Sequence, residues 1–264
     1  MDWLLKALLT AGSVLVVLAF ARHAGRRTAG LVAALPTLTG PTLAWLANDL
    51  GDAFAARAAV ASVAACALLA IFAIVHAHVA RHRGVASALG CGALAVALLA
   101  RPVALAADAL VIALAVAIAA CVAALRCLPA PSGPPPRPSA TPMAATASAA
   151  AVLGAATVAM APLFGSAVAG LLASLPLVSG AVVAREHAGS GHVAVAHFLR
   201  GYVAGLLVRT AFCATFALLA VPLGGLAASA AAALAAAAAA LLAHRVRARR
   251  QRELSLAHAA PRIR

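Results

Sequence analysis

The chain has 264 residues, 65% of them hydrophobic and only 10% charged, with a mean hydropathy of +1.05. A soluble domain averages roughly 45–50% apolar and 25% charged, so this composition excludes an ordinary soluble protein and implies a membrane one. The formal charge of +14 suggests nucleic acid at first sight, yet the cations fall in short loops between apolar runs and in one tail. That distribution orients a polytopic membrane protein, and no nucleic-acid partner is expected.

A helical span needs about 20 largely apolar residues. In chain order, the apolar runs give about nine spans: 3–20, 28–47, 55–79, 84–100, 102–125, 144–163, 167–184, 196–219 and 222–243. The first, MDWLLKALLTAGSVLVVLAF, has Asp2 before it and Arg22, Arg26 and Arg27 after it, opposite in polarity to a cleaved leader, so it is expected to remain as a span. Between the fifth and sixth runs lies PAPSGPPPRPSATP, too rich in proline for a helix and too polar for burial. This gives a first unit over 1–128, a Pro-rich cytoplasmic linker over 129–143, a second unit over 144–243 and a basic tail over 244–264. With the N-terminus outside, fifteen of the twenty Lys and Arg face the cytoplasm. A multi-pass protein of a bacterial-type inner membrane, with its C-terminus inside, is therefore expected. Its tail would lie on anionic lipid headgroups, at roughly 1 kcal/mol per cation.

The second run is interrupted by LPTLTG, residues 35–40. Proline within a helix removes a hydrogen bond and costs about 3 kcal/mol or more, and lipid offers no substitute partner, so a break here must face protein or a cavity. The same stretch recurs. Residues 29–40, AGLVAALPTLTG, and residues 169–180, AGLLASLPLVSG, are identical at seven of twelve positions, at an offset of 140 that also places Gly25 on Gly165 and Gly51 on Gly191. Five spans in the first unit put the second copy in the opposite orientation. The expected fold is thus an all-α polytopic membrane protein of about nine helices, built as two inverted-topology repeats with broken helices near the midplane.

The opening LLKALLTAG, then AGLVAALPTLTGPTLAWL and AFAARAAV, resembles the GlpM family of small four-span inner-membrane proteins. The resemblance covers residues 4 to about 80 directly and 144 to about 240 through the repeat. The fifth span, the linker and the tail fall outside it. Leu35 stands where the family pattern has an aromatic residue before the proline, and Leu177 stands where the first copy has Thr37. It implies an inner-membrane location and two GlpM-like units fused through an inverting helix; it implies no biochemical activity.

The two breaks supply the candidate site: Pro36, Thr37, Thr39 and Gly40 in the first copy, Pro176, Ser179 and Gly180 in the second. Thr39 and Ser179 are expected as N-caps of restarted helices whose amide-rich starts face a common space, a setting for an anion. Arg209, near the middle of the eighth run, adds a positive charge that must face the bundle or water. Asp108, read as lying inside the fifth run, is a possible partner for it.

Gly201 and Gly205 form a GxxxG expected to pack within the chain. His187, His192 and His197, five apart, share no ligand face, and the five cysteines read as small packing residues. No metal and no cofactor is expected. GxSxG, HExxH, a Walker loop and paired carboxylates are lacking, so an enzyme is not expected. The functional expectation is a transporter or exporter of a small anionic solute, with a non-transporting envelope scaffold or regulator as the alternative.

Overall fold

The computed structural model describes residues 25–130, 165–171 and 177–259, together with positions 12, 152, 159, 162 and 163. All regular structure among these residues is helical. The helices are α1 (Gly25–Ala33), α2 (Thr39–Leu50), α3 (Asp52–Val79), α4 (Val85–Leu105), α5 (Leu110–Cys127), α6 (Leu177–Leu223) and α7 (Gly225–Ala259), with a 3-10 turn at Ala106–Asp108. Five segments are long and apolar enough to cross a membrane: Asp52–Val79, Val85–Leu105, Leu110–Cys127, Val182–Leu223 and Gly225–Ala243. The first and sixth expected spans and the Pro-rich linker lie almost entirely outside the described residues.

The second run is two helices, α1 and α2, separated at residues 34–38 by the Pro36 break. Two boundaries differ from the sequence expectation. The fourth and fifth runs divide at 106–109 rather than at Arg101, so Pro102 lies inside α4. The polar stretch 185–195 is helical apart from Gly191, whose φ of 71° bends α6 into an N-terminal limb (177–190) and a C-terminal limb (192–223). Gly51, with φ 89°, makes the corresponding corner between α2 and α3. A side chain is disfavoured at both corners by the positive φ alone.

Alanine decides the packing. α3 is the central helix, with Ala55, Ala58, Ala59, Ala61, Ala64 and Ala65 all buried. Small side chains let neighbouring backbones approach on every face, which is how helices gain contact where lipid removes the hydrophobic drive to associate. The large apolar residues stand outside instead. Leu94, Leu98, Leu105, Val111 and Ile112 of α4 and α5 are exposed, as are Leu226, Leu234, Leu241 and Leu242 of α7. Such a surface suits hydrocarbon.

Contacts across the bundle fix its directions. A Cβ added at Gly30 would overlap the Phe198 carbonyl oxygen, one at Gly205 the Leu31 carbonyl, and one at Gly40 would lie 3.3 Å from the Phe212 ring. Thus α1 and α2 run alongside the C-terminal limb of α6 in the same direction. Gly201, against the Arg27 carbonyl, completes the seam, so the GxxxG packs within the chain. On the other side Gly170 meets Ala58 and Ala61, Gly180 lies near the Phe72 ring, and His187 meets His76. Residues 165–171 and 177–190 therefore follow the direction of α3, and α3 runs opposite to α1 and α2.

Charge is sorted by this arrangement. Arg27, Arg81, Arg83, Arg126 and Arg185 lie toward one end of the bundle, and Arg200 joins them there by donating to the carbonyls of Leu128 (2.7 Å) and Pro129 (3.2 Å). These are orphan acceptors at the end of α5, which a guanidinium satisfies well. Asp49, Asp52 and Asp108 occupy the opposite end with Arg57 and Arg101. There Asp52 Oδ1 accepts a hydrogen bond from the Gly225 amide at 2.8 Å, capping α7 from a different helix. Asp52→Ala is expected to cost about 1 kcal/mol, the usual loss for an N-cap carboxylate, and Asp52→Asn much less. Thermal unfolding of the two variants in the same detergent checks this.

Candidate functional site

The break between α1 and α2 is built from the residues the sequence singles out. Pro36 has no amide to donate, and helix α1 ends at Ala33. The chain then closes a compact turn. Thr37 donates to the Leu35 carbonyl, Gly40 to Pro36 at 2.7 Å and Thr42 to Leu38 at 3.1 Å. Pro41 is the third residue of α2, where a missing amide is tolerated. The backbone amides of Thr37, Gly40 and Thr42 are thus spent on carbonyls of the turn itself.

This corrects the expected role of Thr39. The cap position belongs to Leu38, and no side chain caps the helix. Thr39 is buried and its Oγ1 accepts a hydrogen bond from Arg209 Nη2, a contact between residues 170 apart in the chain. Arg209 is itself buried, 7% exposed, near the middle of the C-terminal limb of α6. Thr210 beside it satisfies its own hydroxyl on the Leu206 carbonyl at 2.9 Å. Positive charge at the break therefore comes from a side chain, not from free helix amides.

Asp108 does not lie inside a span. It is the exposed last residue of the 3-10 turn between α4 and α5, because the helix runs on through Pro102 before breaking. The structure couples Arg209 to Thr39 instead. In the second copy, Ser179 and Gly180 lie within α6, which begins at Leu177, so Ser179 is not at the helix boundary. Gly180 is buried. Pro176 falls outside the described residues.

Beside the break is a cavity of about 570 Å³, lined by Leu35, Pro36, Thr37, Gly40 and Pro41 together with Phe212 and an alanine face of α7. Four alanines, Ala233, Ala236, Ala237 and Ala240, leave the space open. Ser229 is in the wall, but its hydroxyl is already bound to the Gly225 carbonyl at 2.7 Å. The cavity is nearly all carbon, and it lies between the first break and α7, not as a polar space between the two breaks. Val208 and Phe212 in its wall flank Arg209, and Thr37 and Gly40 flank Thr39.

A second, smaller cleft of about 250 Å³ opens at the basic end, lined by Ala77, Arg81, Pro129, Ala130, His192, Val193 and Ala196. Nearby, His76 is fully buried on α3 and packs against Phe72 and His187. Sequence reasoning passed over this cluster. It is assembled from two helices and a bend at Gly191, and none of these shows in the spacing of the histidines.

No group of three or more His, Cys, Asp or Glu side chains able to hold a metal ion occurs among the described residues. Set against known protein families, curated proteins and solved structures, the chain matches none of the three.

Proposed function

We propose that this chain is a transporter or exporter of a small anionic solute, working by alternating access between two inverted-topology repeats in a bacterial-type inner membrane. The observation that carries the reading is Arg209, buried at mid-span and held to Thr39 at the break of a discontinuous helix. A cation in that position is costly, about 2.5–3.5 kcal/mol on insertion scales, and such residues line solute and ion pathways. The carbon-lined cavity next to it favours an organic anion, whose apolar body would occupy the cavity while its charge reaches the guanidinium.

Contacts related by the 140-residue offset support the repeats. Gly30 meets Phe198, and Gly170 meets Ala58; Gly40 faces the Phe212 ring, and Gly180 faces the Phe72 ring. Each pair maps onto the other when 140 is added on one side and subtracted on the other, as a two-fold relation requires. The corners at Gly51 and Gly191 obey the same offset, both with positive φ. The opposite directions of α1–α2 and of residues 165–171 and 177–190 agree with inversion. In this reading each half is a GlpM-like unit. The basic end, with Arg27, Arg81, Arg126 and Arg200, is cytoplasmic, and the basic tail lies on anionic headgroups.

The test is flux. Purified protein in liposomes is screened with labelled organic and inorganic anions, and uptake above that of empty vesicles for at least one organic anion is expected. Uniform failure, together with a stably co-purifying membrane protein, would replace transport with a scaffold role.

A further inference from the structure

His76 is the most anomalous polar group in the bundle. It is 0% exposed, and neither Nδ1 nor Nε2 has a hydrogen-bond partner. A buried imidazole needs a donor for one nitrogen and an acceptor for the other, and leaving both unmet carries the desolvation penalty of each group with nothing to offset it. Unsatisfied groups of this kind call for an explanation beyond packing. The nearest titratable ring is His187, from the other half of the chain, at 5.8 Å between centroids and nearly edge-on at 78°. His187 Nδ1 is buried and also lacks a partner.

We infer that His76 and His187 form a proton-binding pair, fed from the basic end through His192, that couples proton uptake to relative movement of the two halves. The three rings form a gradient of access. His192 is exposed and lines the cleft at the basic end; His187 is half-buried and close enough to feel the charge on His192; His76 is sealed. A proton leaving water adds to the lone pair of one pair member. That ring then has two N–H donors and no lone pair, and the neutral second ring offers an acceptor. At the present separation the rings do not bond, so sharing the proton must draw segment 177–190 toward α3. Two charged rings at this distance in apolar surroundings repel strongly, which limits the pair to one proton.

The surroundings permit this. α3 contributes Phe72, and α4 brings its backbone at Ala88 up to the His76 ring. On α6, Glu186 is buried just before His187 and Arg185 is exposed. Arg81 stands at the rim of the cleft, and His78 is bound to the Ile74 carbonyl of its own helix at 2.9 Å.

As a coupling site the pair rests on the transport reading; as a proton site it does not. The test is nitrogen-15 NMR of histidine-labelled, full-length protein in lipid nanodiscs from pH 8 down to about 3.5, since burial disfavours the charged ring, with signals assigned by His76→Gln and His187→Gln. Expected is one proton taken up per pair, both rings changing together, and loss of His76 protonation over this range in His187→Leu. Independent titration of the two rings, a His76 ring that takes up no proton in the wild-type protein, or displacement of both protons by micromolar zinc would each overturn it. Paired titration in a protein that moves no anion would remove the transport reading and leave the proton site standing. Anion flux with unpaired titration would do the reverse.

Discussion

Arg209→Ala is expected to abolish anion uptake while leaving the bundle folded. The magnitudes oppose each other on stability. Truncation removes a buried cation that costs about 2.5–3.5 kcal/mol to place at mid-span. It also leaves the Thr39 hydroxyl without its donor, a loss of about 1–3 kcal/mol. The net change in melting temperature is therefore small, and the effect on uptake is not: without the guanidinium nothing compensates an anion for losing water, and at least a hundredfold loss of rate is expected. Arg209→Lys should recover only a fraction. An ammonium is a compact point charge without the planar fork that can hold Thr39 and a carboxylate together. Initial uptake rates in proteoliposomes, read beside thermal unfolding of the same preparations, separate the two effects. An Arg209→Ala protein that transports at the wild-type rate would remove the site from consideration.

The largest structural effect is expected at Gly30. A single methyl group there overlaps the Phe198 carbonyl and closes to 2.9 Å on the Tyr202 amide nitrogen. Both are backbone atoms of α6, so no side chain can rotate out of the way. The seam of Gly30, Gly201 and Gly205 must open along its length, and α1 must withdraw from α6. Gly30→Ala is expected to cost about 3 kcal/mol, at the upper end for overpacking, and Gly30→Leu to yield no folded protein. Gly90 is the control: it is exposed on α4 with nothing within 4 Å of an added Cβ. Gly90→Ala should be neutral or stabilising by up to about 1 kcal/mol. Size-exclusion profiles and thermal unfolding in detergent report both. Equal melting of Gly30→Ala and the wild-type protein would mean that the seam is not closed.

The break at 34–38 was legible because proline and glycine act locally, through a missing amide and a missing side chain. Arg209 was legible because a cation in an apolar run is anomalous whatever surrounds it. Its partner was not: Thr39 is 170 residues away, and its hydroxyl was assigned to the nearest local task, a helix cap. Asp108 was misplaced for a related reason. Arg101 and Pro102 look like a boundary, yet both remain in α4 and the turn comes at Ala106–Asp108. The segment 185–195 read as a loop from its polarity. It is helical because Gly191 alone absorbs the change of direction, and that corner brings His192 within electrostatic reach of His187.

Helix α7 is 35 residues long, ~52 Å at ~1.5 Å per residue, against a hydrocarbon core of ~30 Å. Its start is fastened to α3 through Asp52, so the remainder behaves as a lever arm pivoting at that tie. A tilt of ~10° about the pivot sweeps the far tip, with Arg245 to Arg252 upstream of it, through ~9 Å. Small repacking along the alanine face is thereby amplified into a displacement large enough for a distance probe on the protruding end to follow.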